Sequence, residues 1–274
     1  MTVELTPEHE AVRAMVRDFA ESEVAPHAAR WDREHHFPLD VVRHMGDLGL
    51  FGLVFPERWG GGEGDFLSLC IAIEELGRID QSVGITLSAG VGLGANPIFR
   101  FGNDEQRDRW LPDLVAGRAL GAFGLTEPDA GSDAGATRTR ARRDGDSWVI
   151  DGAKAFITNS GTDITSVITV TARTDDGIST FVIEAGTPGL IVEAPYDKLG
   201  WHASDTHGLV LDECRVPAEN LLGAPGAGFR NFLAILDDGR VAISALALGC
   251  ARACLDMAVD YAKQREAFGG PIGR

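Results

Sequence analysis

The 274 residues carry 41 Asp and Glu against 25 Lys and Arg, a formal net charge of −16, with 44% hydrophobic and 24% charged residues. This is the composition of a globular chain long enough for one large or two modest domains, so wholesale disorder is excluded. The negative excess excludes nonspecific nucleic-acid binding and attraction to an anionic membrane surface, yet a few Arg and backbone amides can still form a local anion site.

Residues 1–10, MTVELTPEHE, are acidic and lack the apolar core of a secretory signal. Thr6, Pro7 and Glu8 read as a helix start: a capping hydroxyl, Pro in the first turn, then acid at the positive dipole end. Val12, Met15, Val16 and Phe19 follow at helical spacing until Pro26. Leu39, Val42, Met45 and Leu48 form a second stripe ended by Gly49, and Phe66, Leu69, Cys70, Ile73 and Leu76 a third ended by Gly77. Asn103 with Gln106 is a capping box for a further helix.

From about Ala119 the period changes. SWVID and KAFIT are short β-rich runs parted by Gly152, ITSVITVTAR alternates, and ISTFVIEA, GLIVEA and HGLVLDECRV follow closely. Strands this close, with no helix between them, predict an antiparallel sheet or barrel. From about Gly228 an Ala- and Leu-rich helical run extends to about Ala267, roughly 55 Å if unbroken, and needs partners along most of its length. The apolar runs, such as VAISALALG, read as too short to span a bilayer, so no membrane insertion is expected. Cys70, Cys214, Cys250 and Cys254 form no CxxC pair, and no His shares the segment of Cys250 and Cys254. The expectation is a reduced, cytoplasmic protein without a metal site.

AGVGLGANP has the glycines of a dinucleotide fingerprint but helical neighbours and Pro97, so close helix packing is its default reading. His35 and His36 read as a solvated loop; His202 and His207 have a surface, hydrogen-bonding or ligand role open to them. In FGLTEPDAGSD, small residues around Gly131 admit an anion to backbone amides, and Thr126 and Ser132 add hydroxyls; a binding loop and a plain polar turn both fit.

TEPDAGSD, KAFITNS, KLGWHASDTHGLVLDECRVP and YAKQREAFGGPI, with the GLFGLVFPERWGG loop, resemble the acyl-CoA dehydrogenase family in order, spacing and content along the whole chain. The resemblance implies an α+β multidomain fold: an N-terminal all-α domain over 1–118, a middle antiparallel β-domain over 119–227, and the start of a C-terminal helical bundle over 228–274. It implies FAD as cofactor, an acyl-CoA substrate, electron-transfer flavoprotein as acceptor and a homotetramer. Phe123, Leu125 and Thr126 would lie along the flavin, Ser132 near its pyrophosphate and the acyl-CoA, and Phe156, Ile157 and Thr158 beside the isoalloxazine. Asp237 and Arg240 match an acyl-CoA-contacting turn, and Arg265 and Phe268 match positions that reach a neighbouring subunit's FAD.

The implied chemistry is α,β-dehydrogenation of an acyl-CoA thioester to the trans-2-enoyl-CoA, as in fatty-acid β-oxidation. The family's catalytic Glu would fall beyond Arg274, and the other position that carries a base in some members is Gly239 here. The chain is therefore expected to be C-terminally truncated, inactive alone and a weak FAD binder. The alternatives are an acyl-CoA or nitroalkane oxidase of the same fold, or a noncatalytic acyl-CoA-binding subunit.

Overall fold

The computed structural model describes residues 4–274; the first three residues of the acidic N-terminal stretch lie outside the described residues. Thr6 caps α1 (Pro7–Phe19) by accepting the His9 N–H, and the His9 ring accepts the Thr6 N–H in return. The helix widens through a π turn at Ala20–Val24, then α2 (Ala28–Glu34) and α3 (Leu39–Asp47) follow. Next come α4 (Phe66–Ile79), α5 (Gln81–Ala89), a π turn at Gly90–Ala95, α6 (Asn96–Phe101) and α7 (Asp104–Val115), the last capped by Asn103 and Gln106.

The middle of the chain is one sheet. It contains β1 (Leu120–Gly124), β2 (Arg140–Asp144), β3 (Ser147–Thr158), β4 (Thr165–Thr174), β5 (Gly177–Glu184), β6 (Leu190–Pro195), β7 (Thr206–Pro217) and β8 (Leu221–Leu222). The order is β6-β7-β3-β2-β4-β5-β8, with β1 also on β4. Antiparallel pairs dominate as expected, but β1 runs parallel to β4, and β2 meets β4 in parallel at Arg140 and Arg173. SWVID and KAFIT are one strand, not two. Gly152 at φ 153° shifts the register there, and a Cβ on it would meet Thr139 Oγ1 at 2.5 Å.

α8 (Gly228–Gln264) is a 37-residue helix, followed by a small pairing of β9 (Glu266–Ala267) with β10 (Gly270–Pro271). Ala242, Leu246 and Gly249 of α8 pack into the helical layer, where α8 docks on α4 and α5. Gly77 does not end the third helix as its position suggested. A Cβ there would lie 2.8 Å from Leu246 Cδ1, so this glycine admits α8 rather than stopping α4. Gly249 answers from the other side, where a Cβ would lie 2.2 Å from the Glu74 carbonyl oxygen. Gly94 likewise packs on Gly121, where a Cβ would meet the carbonyl oxygen at 2.5 Å, so the Gly-rich string is a packing element. Beyond Gly249, Leu255, Met257, Val259 and Tyr261 are exposed.

One expectation about length needs correction. The continuous helix Gln81–Phe101 and α8 are both long and apolar enough to cross a bilayer by length and composition. Helical continuity joins short apolar runs that look separate in the sequence. The first of the two is 78% buried within the protein over its most apolar window, and α8 only 17%.

Two main cores result. One lies among the helices around Val16, Met45, Phe51, Leu76 and Leu87; the other lies in the sheet around Ile150, Phe181 and Leu209. A third cluster of Phe123, Leu125, Phe232 and Ile235 joins β1 to the start of α8, and it positions the candidate site.

Candidate functional site

The Phe123 ring stacks on Phe232 of α8 with centroids 3.9 Å apart, which fixes the end of β1 against the helix. Leu125 is buried in the same cluster. One residue on, the Thr126 carbonyl accepts the Ala155 N–H at 2.9 Å, so the segment leaving β1 runs beside the end of β3. Phe123, Leu125 and Thr126 are thereby brought to Phe156, Ile157 and Thr158. Ile157 is buried and Thr158 half-buried.

Phe156 is the unusual member. The residue is 65% exposed, its backbone sits at φ +61°, and the Tyr196 ring lies 4.8 Å from its own, centroid to centroid. A left-handed backbone at a bulky residue costs roughly 1–2 kcal/mol, and an exposed aromatic face forgoes burial. Both costs are offset where a flat aromatic ligand covers the ring. The Thr126 and Thr158 side chains beside it are half-buried and bond to no other side chain among the described residues. These groups fit an isoalloxazine.

A buried ion pair, not foreseen in the sequence, holds this corner. Lys154 Nζ lies 2.7 Å from Glu127 Oε1, and also donates to Thr171 Oγ1 at 3.1 Å and the Leu125 carbonyl at 3.4 Å. Glu127 further accepts the Arg138 and Thr139 N–H groups. Burial pushes the Lys154 ammonium down to about 8 against the pull of Glu127. Burial pushes the Glu127 carboxyl up, but Lys154 and Thr139 outweigh it and leave the carboxyl below its ordinary range. The pair straps the TEPDAGSD segment to β3.

Ser132 is exposed in the loop that follows. Ala134 of that loop packs on the Phe123–Phe232 cluster, so Ser132 stands where the sheet meets α8. On α8, Asp237 and Arg240 pair with each other and are both exposed. Asp238 pairs with Arg100 at 2.9 Å. It borders, with Gly239, a cavity of about 350 Å³ walled by Phe55, Phe66, Gly92 and Phe99.

Arg265 and Phe268 are not brought to this corner. They lie beyond the far end of α8, roughly 50 Å from Phe232 along the helix axis. Phe268 is fully exposed at φ +52°, and the Arg265 N–H bonds the Tyr261 carbonyl.

The histidines hold loops. His202 Nδ1 lies 2.9 Å from Asp32 and Nε2 lies 2.7 Å from the Lys198 carbonyl, linking the 196–205 loop to α2. His35 stacks on His202 at 4.3 Å, and His207 bridges the Glu193 carbonyl and Asp205. All four cysteines are free, and no group of three metal-ligating side chains occurs among the described residues.

Three family models match in order: the acyl-CoA dehydrogenase N-terminal domain over residues 6–118, its middle domain over 122–214 and its C-terminal domain over 226–274. A probable acyl-CoA dehydrogenase of Bacillus subtilis, YngJ, is 49% identical over 99% of this chain and 73% of its own length. The butyryl-CoA dehydrogenase of Megasphaera elsdenii superposes with a TM-score of 0.95 at 42% identity, over 99% of this chain and 73% of that one. A glutaryl-CoA dehydrogenase of Mycobacterium smegmatis, solved in complex with FADH2, superposes with a TM-score of 0.93 at 37% identity, over 98% of this chain and 68% of that one.

Proposed function

The chain belongs to the acyl-CoA dehydrogenase family, and on that premise we propose that it forms the FAD site and acyl cavity of an enzyme that oxidises an acyl-CoA thioester to the trans-2-enoyl-CoA. The observation that carries this reading is the 2.9 Å bond between the Thr126 carbonyl and the Ala155 N–H, which sets the Phe123–Thr126 segment beside the exposed Phe156. When bound, FAD would supply the acceptor for the β-hydrogen and its electron pair.

The chain's own residues would do the holding. Phe156 would offer an aromatic face, and the Thr126 and Thr158 hydroxyls would donate to flavin atoms where negative charge builds. Ser132, at the junction of sheet and α8, would donate to the pyrophosphate or the thioester's nucleotide arm. Arg240, exposed on α8, has a planar guanidinium suited to a phosphate of that arm.

Removal of the α-proton needs a carboxylate facing the cavity. Gly239 has no side chain, and Asp238 is held by Arg100. Neither position supplies it, so the reading leaves the base to a carboxylate other than Asp238. An electron-transfer flavoprotein as acceptor and a homotetramer belong to the same reading and rest on family membership.

The test is anaerobic addition of an acyl-CoA to the FAD-loaded chain. A perturbed flavin spectrum supports the reading, and bleaching supports it and adds a base within the chain. A flavin spectrum indifferent to saturating acyl-CoA overturns it.

A further inference from the structure

We propose that Gly92 and Gly239 make the acyl cavity wide enough to select hexanoyl to octanoyl chains over a four-carbon chain. The inference rests on the acyl-CoA reading above and specifies its substrate class.

The cavity lies between the π turn Gly90–Ala95 and α8, and its volume is about 350 Å³. Its wall is apolar at Val54, Phe55, Phe66, Leu69, Val91 and Phe99 and polar at Ser88, Asn96 and Asp238. A liquid water occupies ~30 Å³, so the space takes on the order of ten groups of water or methylene size. A butyryl chain presents four carbons and would leave most of that wall uncovered. Each added methylene that reaches the apolar part of this wall removes further apolar surface from water, so the cavity rewards a longer chain.

Two residues set the width, one from each side. A Cβ on Gly92 would meet nothing within 4 Å, and one on Gly239 would first meet Leu93 Cδ2 at 3.9 Å. Most other glycines of this helical layer are small because a neighbour occupies their Cβ site, as at Gly77, Gly84, Gly90, Gly94 and Gly249. Gly92 and Gly239 have no such neighbour. Neither has the positive φ that would require glycine for backbone reasons. Helix interiors disfavour glycine by roughly 0.5–1 kcal/mol relative to Ala, so packing and propensity would both accept a side chain there. What the missing side chains leave is cavity. Phe55 and Phe99, in edge contact at 5.4 Å, close the far wall.

The test is calorimetric titration of the FAD-loaded chain with butyryl-, hexanoyl- and octanoyl-CoA, which reads binding without turnover. Burial of a methylene corresponds to about a fourfold change in affinity, so Kd should fall by at least tenfold from butyryl to octanoyl. Gly92→Leu should collapse that ratio towards one, and Gly239→Leu, filling the same space from α8, should do the same in a second background. Equal Kd values for the three thioesters in the unaltered chain, or a ratio that survives both substitutions, would overturn the inference while leaving the acyl-CoA reading intact. Failure of all three thioesters to bind would instead overturn the acyl-CoA reading, and this inference with it.

Discussion

Lys154 Nζ and Glu127 Oε1 lie 2.7 Å apart with both side chains buried, and this contact fastens the loop after β1 to β3. Removing one partner leaves the other charge unpaired in the interior. Lys154→Met should therefore cost about 3–5 kcal/mol in chemical denaturation. The double variant with Glu127→Gln should recover a large part of that loss, because no charge is then stranded. A Lys154→Met protein as stable as the parent would refute the strapping role.

Glu75 gives the pH dependence its sign. Its side chain is fully buried on α4. Burial pushes its carboxyl up, but Arg17, Arg252 and Arg78 outweigh that and hold it below the ordinary carboxylate value. The folded state then binds a proton less readily than the unfolded chain. The associated stability is present above the unfolded value, about 4.3, and is lost as pH falls through the lower folded value. Urea midpoints measured from pH 6 down to 3 should fall, and the drop should be shallower in Glu75→Gln. Parallel pH profiles for the two proteins would contradict this.

Two helical glycines should respond in opposite directions. Gly249→Ala places a Cβ 2.2 Å from a backbone carbonyl of α4, so α8 must shift, at a cost of about 1–3 kcal/mol. Gly92→Ala meets open space and should stabilise by about 0.4–1 kcal/mol. Thermal unfolding of the two variants reads both signs, and protease cleavage within α8 should accelerate only in Gly249→Ala.

Phe156 at φ +61° carries backbone strain and little burial. Phe156→Gly should raise the unfolding free energy by on the order of 1 kcal/mol, because glycine accepts that conformation freely. Flavin affinity should fall in the same variant. Gains in both stability and flavin affinity would show that the ring does not serve a ligand.

Much of this architecture is legible in residue order. Thr6 and Asn103 announce helix starts that the structure confirms, and the change from helical to alternating period locates the sheet. β1 was not legible: LGAFG is five residues, buried throughout, with no alternation to mark a strand. Gly77 looked like a stop because its partner, Leu246, is remote in the chain and becomes a neighbour only when α8 docks. The site residues came from a family resemblance. That resemblance carries identities but neither the strained, exposed backbone of Phe156 nor the Glu127–Lys154 pair, whose members are 27 residues apart. Lys154 lies in a β-rich run, and the packed loop that carries Glu127 makes it interior.

The central claim is that the corner formed by Phe123–Thr126 and Phe156–Thr158 is a flavin site. Titration of the chain with FAD, followed by flavin fluorescence, tests it most directly. The account predicts saturable binding that weakens in Phe156→Ala and weakens again when Thr158→Val is added. No saturable binding, or binding that neither substitution changes, would contradict it.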